Sequence, residues 1–98
     1  MSRSVDVACT GNPRAGWTCF VAIRDGATVS EHEVRVTHAD LDRFDPAATD
    51  PTDLVERSFA FLLEREPPSS ILRSFDLPVI GRYFPDYAIA IRRAARGS

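Results

Sequence analysis

Residues 50–66 read DPTDLVERSFAFLLERE, the longest clean helical pattern in the chain. Leu54, Val55, Ser58, Phe59, Leu62 and Leu63 recur at the spacing of one helix face, while Glu56, Arg57, Glu64 and Arg65 take the other. Asp50 is placed to cap this helix, Pro51 suits its first position, and Asp53 stands where a capping-box partner reaches back. Pro67 and Pro68 stop it. Phe61 lies off the main apolar face, so either the residues at 71–87 wrap round to cover it or it marks a contact surface. Coverage by 71–87 is the expectation.

Upstream of the helix the period changes to two. Val5, Val7 and Cys9 alternate with Asp6, Ala8 and Thr10; Trp17, Cys19, Val21 and Ile23 repeat the pattern. Residues 10–16 hold Gly11, Asn12, Pro13 and Gly16 and read as a loop, and Asp25-Gly26 is a strong hairpin signal before a third strand at 28–36. Placing Asp25 and Gly26 at the tip sets Ile23 opposite Thr28, Val21 opposite Ser30, Cys19 opposite His32 and Trp17 opposite Val34. A simple first hairpin sets Val7 opposite Cys19 and Cys9 beside Trp17. One face of this meander then collects Val5, Val7, Cys9, Trp17, Cys19, Val21, Ile23, Val34 and Val36, and the other carries Asp6, Arg24, Glu31, Glu33 and Arg35 into water.

Between meander and helix, Thr37-His38-Ala39-Asp40 fits a capping box, with Val36 stapled to Leu41 and a short helix ending near Phe44. Beyond the helix come short pieces. Ser69 or Ser70 is placed to cap a brief helix through Phe75, and Asp76 to cap another. Residues 87–96 alternate like a strand in Tyr87, Ile89 and Ile91, but their alanines and the run RRAAR favour a helix.

Ninety-eight residues with nine aromatic side chains suit one domain (1–98, strand-rich at 4–36 and helical at 38–96) with one modest core. The net charge of −2 gives no global attraction to nucleic acid or to an anionic membrane. It is unevenly spread: residues 25–56 carry nine acids against Arg35 and Arg43, whereas from Arg65 onward six arginines face three acids. Every basic residue is arginine. The first residues, MSRSVDVACTG, lack an apolar centre, and no apolar run approaches membrane-spanning length. A cytoplasmic protein with reduced thiols is the default expectation.

No catalytic signature emerges. Cys19 opposite His32 is the nearest thing to a nucleophile–base pair, but no third residue orients His32 and the strand position predicts burial. Cys9 and Cys19 as diagonal neighbours are poorly placed for a disulfide and read as small buried hydrophobes. Their spacing matches no zinc motif, and His32 and His38 with Asp40 or Asp42 form no ligand set, so no metal or cofactor is implied. Candidate partner-binding residues are Glu31, Glu33, Arg35, Asp40, Asp42 and Asp45, an acidic surface suited to a basic protein partner. Arg82, Arg92, Arg93 and Arg96 are the candidates for phosphate contact, with Tyr83, Phe84 and Tyr87 interleaved, although basic residues at a helix end equally complement its dipole. Nucleic acid is not the favoured partner.

The run LVERSFAFLLEREPPSSILRSFDLPVIGRYFPDY at 54–87 resembles a family of small bacterial proteins of unknown function, which share a strand-rich N-terminal half, an "ERSF-FLLERE" helix and a "SIL-SFDL--I--YFP-Y" segment. The resemblance is close over 54–87 and holds for the strands in outline; it implies no activity and transfers no functional residue. A looser similarity to HicB-type antitoxins is architectural: a helix after a small meander, without their usual segment between the two.

The expected fold is therefore α+β: a three-stranded antiparallel meander over about residues 4–36, packed by its Trp17 face on a main helix over about 51–65, with short C-terminal helices closing the helix's other side. The expected function is a non-catalytic interaction or regulatory module, acting through the polar sheet face, an open sheet edge or the acidic surface. The alternatives are a small enzyme or ligand-binding protein using Cys19 and His32, and a nucleic-acid-binding or antitoxin-like protein. A sheet this small has two edges, which makes a homodimer through one of them a candidate.

Overall fold

The structure, a computed structural model, describes residues 3–96, with side chains through Arg93. Strands β1 (Arg3–Asn12), β2 (Gly16–Asp25) and β3 (Thr28–Val36) are followed by helices α1 (His38–Phe44) and α2 (Thr52–Leu63). A single 3-10 turn at Pro68–Ser70 leads into β4 (Ser74–Asp76), α3 (Val79–Tyr83) and α4 (Tyr87–Arg96). The sheet runs β1-β2-β3-β4, antiparallel through β3, with β4 parallel to β3.

The α+β class and the antiparallel meander are as expected; the sheet has four strands rather than three. The residues expected to form a helix through Phe75 instead extend beside β3. The Glu33 amide donates to the Arg73 carbonyl at 2.7 Å and the Leu77 amide to the Arg35 carbonyl at 2.9 Å. Arg35 clamps the new strand from its side chain, donating to Asp76 at 2.7 Å and to the Ser74 hydroxyl at 2.9 Å. Asp76 is thus an ion-pair partner rather than a helix cap.

Both hairpins keep the expected faces and change partners. Asp25 pairs with Thr28, so the turn residues are Gly26 and Ala27. Gly26 has φ +65° and Ala27 has no positive φ, so glycine occupies the first central position of the turn, as a type II′ geometry requires. Moving the tip by one residue shifts the pairing by two: Cys19 opposes Val34, Val21 opposes His32 and Trp17 opposes Val36. In the first hairpin the strands run further than expected, closing at Asn12 and Gly16 around three loop residues. The Asn12 carboxamide oxygen accepts from the Arg14 and Ala15 amides at 2.9 and 2.8 Å and holds the loop. Val7 therefore opposes Val21, and Cys9 opposes Cys19 directly. A shift of two preserves side-chain parity, which is why the faces survive.

Direct opposition makes Cys9–Cys19 a disulfide, with Cα atoms 3.9 Å apart. This corrects the expectation of free, reduced thiols, and with it the premise of the cytoplasmic assignment, since disulfides persist mainly in oxidising surroundings. Among the described residues no helix is long and apolar enough to cross a membrane.

The helices pack on the sheet face carrying Trp17, Cys19, Val21, Ile23, Val34 and Val36, all buried. The expected capping box closes the start of α1: Thr37 and Asp40 exchange two bonds of 3.0 Å, and Val36 and Leu41 are both buried in the core. At α2, Asp50 accepts from the Thr52 amide at 2.9 Å, and that bond lowers its pKa. Asp53 does not reach back; it pairs with Arg57 one turn on, at 2.8 Å. α2 buries Leu54, Val55, Ser58, Phe59, Phe61 and Leu62. Phe61 is covered as expected, edge-on to Phe84 and Tyr87 at 5.8 and 5.4 Å, with the Arg65 guanidinium 3.7 Å above its ring. α4 is the helix that its alanines favoured.

Candidate interaction surface

The sheet leaves one long edge and one broad face open. Their geometry follows from the turn. A two-residue hairpin makes its closing pair, Asp25–Thr28, a hydrogen-bonded one, and bonded and non-bonded pairs alternate from there. Residues 19, 21 and 23 of β2 then bond to β3, and residues 18, 20, 22 and 24 bond to β1. The bonds from Glu33 and Arg35 to the β4 side fit this alternation, because both sit in non-bonded pairs with β2. On β1, Ser4, Asp6, Ala8 and Thr10 are bonded inward. Val5, Val7 and Cys9 turn their N–H and C=O groups to the free edge. The short Cα separation at Cys9–Cys19 is that of a close, non-bonded pair.

β1 is ten residues long, has no proline and keeps its register with β2 from Arg3 to Asn12. The side chains of Val5, Val7 and Cys9 lie on the core face but are only half-buried, because among the described residues no further strand covers them. The opposite edge is β4, only three residues long and guarded by the charged Asp76.

The face away from the helices is ordered in rows. Asp6, Ala22 and Glu31 form one, and Ala8, Phe20, Glu33 and Ser74 the next. Phe20 is 51% exposed at the centre, an uncommon place for a large aromatic residue on a solvated face. Among the described residues Asp6 and Glu31 have no ion-pair partner. A separate apolar groove of about 180 Å³, lined by Leu62, Phe75, Ile80 and Tyr83 among others, opens at the C-terminal end of α2.

The residues proposed from sequence are dispersed over this frame. Glu31, Glu33 and Arg35 do share the outer sheet face, but Glu33 and Arg35 bond each other at 3.2 Å and anchor β4, and the bond to Asp76 raises the Arg35 pKa. Asp40 is engaged in the α1 cap, and Asp42 is exposed on α1. Asp45 faces inward, 2.6 Å from Arg57. The acidic stretch is therefore not one surface. Arg57, which the helical pattern assigned to water, is mostly buried and also bonds Asp53 and the Ile91 carbonyl.

Cys19 and His32 do not meet. Cys19 is held in the disulfide, and His32 lies 4% exposed beneath the sheet. Its Nδ1 is 2.8 Å from the Leu72 carbonyl, its Nε2 is 3.0 Å from the Ser30 hydroxyl, and its ring packs on Phe59 at 5.5 Å. The Leu72 carbonyl can only accept, so Nδ1 carries the proton and the imidazole staples β3 to the chain entering β4. Among the described residues no three of His, Cys, Asp and Glu converge as a metal site would need.

The C-terminal arginines are equally scattered. Arg92 donates to the Arg43 carbonyl at 3.0 Å, Arg82 and Arg93 are exposed, and the Arg96 side chain lies outside the described residues. Of the aromatics between them, Tyr87 is fully buried and Phe84 partly so, leaving Tyr83 exposed at 66%. The free edge was missed as the leading feature because its signal, which strand ends up outermost, lies in no local pattern. Comparison of the chain with protein-family models, curated proteins and solved structures finds no match to any of them.

Proposed function

We propose that this protein is a non-catalytic interaction module that takes up an extended segment of a partner along the free edge of β1. The observation that carries this reading is the edge itself: a regular ten-residue strand whose Val5, Val7 and Cys9 backbone groups have no strand to pair with among the described residues. Main-chain hydrogen bonds to such an edge supply affinity, and alternate side chains supply selectivity. Phe20, one strand in, and the free carboxylate of Asp6 give the outer face of that strip its character.

Proline substitution tests this directly. Val7→Pro removes an N–H that points away from β2, so the hairpin keeps its own ladder while the edge loses a donor at its centre. Partners captured from the native host by the wild-type chain and lost by Val7→Pro support the reading. Partners retained equally by both chains, with the variant folded by circular dichroism, overturn it.

A further inference from the structure

We propose that the segment taken up by β1 is the β1 of a second copy of this chain, paired antiparallel about a two-fold axis at Ala8. The inference rests on the edge-pairing reading and names its occupant.

Three observations select this arrangement. The first is parity. A sheet that continues through the axis must oppose residues of the same face, so the axis passes through a residue rather than between two. The second is charge. An axis at Asp6 would oppose two carboxylates in a close, non-bonded pair, which like charge disfavours. An axis at Val7 leaves them as diagonal neighbours. An axis at Ala8 sets each Asp6 opposite the partner's Thr10, whose hydroxyl can exchange its long 3.5 Å bond to the Thr18 carbonyl for one to the carboxylate, and leaves Arg3 outside the ladder to keep its 3.2 Å pair with Asp25. The third is packing. Ala8 then faces its own copy with Phe20 beside it on each side, so the smallest side chains meet at the axis and the exposed rings flank them. On the core face Val7 meets the partner's Cys9, and half-buried apolar surface is closed on both copies. The edge is thus its own complement, as an isologous interface requires.

Light scattering after size exclusion should give twice the 10.9 kDa chain mass for the wild type and one chain mass for Val7→Pro. Ala8→Cys, whose new thiol faces away from Cys9 and Cys19, should form an intermolecular disulfide under mild oxidation, and Asp6→Cys should not. A wild-type chain that stays monomeric up to submillimolar concentration overturns self-pairing, while the edge reading is judged separately by the capture experiment. A dimer that survives Val7→Pro, or that cross-links through Asp6→Cys and not Ala8→Cys, also overturns the proposal.

Discussion

The Tyr87 hydroxyl shows what one residue contributes inside this core. It is fully buried, 2.6 Å from the Ser58 hydroxyl, which in turn donates to the Leu54 carbonyl at 2.7 Å. Because Ser58 has spent its only proton, Tyr87 must be the donor in the pair. The chain of bonds satisfies both hydroxyls, and among the described residues no buried side-chain polar atom is left without a partner. Burial pushes the phenol up to about 12, against the opposing effect of the Arg57 charge. Unfolded, a tyrosine ionises near 10. The unfolded chain therefore loses its proton first, and stability present below about pH 10 is lost as pH rises toward 12, by roughly 2–3 kcal/mol in all. Denaturant midpoints measured from pH 8 to 11.5 should fall over the upper part of that range. In Tyr87→Phe this part of the fall should disappear, while the variant itself costs about 1 kcal/mol at neutral pH. A fall of unchanged size in Tyr87→Phe would assign it to other groups.

Within the meander, β1 is the strand paired on one side only. It touches β2 along its length and α2 on one face, and the Cys9–Cys19 disulfide is its covalent tie. Closing a loop of this size is worth about 2–3 kcal/mol on chain-entropy grounds. Cys9→Ala with Cys19→Ala should lower global stability by about that amount. Hydrogen exchange at Asp6, Ala8 and Thr10, whose amides bond β2, should accelerate more than at Val21 or Val34 in the sheet centre. Equal acceleration everywhere would show that the disulfide acts on the unfolded chain and not on β1 in particular. The disulfide also marks what the sequence made legible. The caps of α1, the face of α2 and the alternation of β1–β3 depend on neighbours in the chain, and all could be read from it. The β2–β3 register depended on whether Gly26 took the first or second central turn position, a choice between two allowed turns, and the β1–β2 register on how far the strands ran before the loop at 13–15, which decided whether Cys9 met Trp17 or Cys19. β4 is too short to show a period and is fixed by pairing with residues about forty positions earlier. Arg57 was read as solvated because a helical pattern scores an arginine by type, whereas its place is set by Asp45 and the Ile91 carbonyl. The candidate edge is harder to read in the sequence than the fold for the same reason: which strand lies outermost is a property of strand order.

At the scale of the whole molecule, α2 is a shared wall between two sets of contacts. On one side Phe59 packs against His32 and Phe75, at 5.5 and 6.2 Å, and so against the sheet. On the other Phe61 packs against Phe84 and Tyr87, and so against the C-terminal pieces. Arg57 ties α2 to the segment after α1 and to the α4 backbone. A wall that both sides need cannot melt with only one of them, so the chain should unfold as a unit despite its layered build. Phe59→Leu and Phe61→Leu probe the two sides. Each removes ring volume from a packed site and should cost about 1–2 kcal/mol. Trp17, the only tryptophan, sits buried on the sheet side and reports on that side by fluorescence, while far-UV ellipticity reports mainly on the helices. In both variants the two signals should move to lower denaturant together and remain superimposable. A Phe61→Leu chain whose ellipticity transition shifts while the Trp17 transition stays in place would mean that the C-terminal pieces melt from a sheet that stands without them. The long β1 edge would then belong to a unit stable on the strength of the sheet and α2 alone.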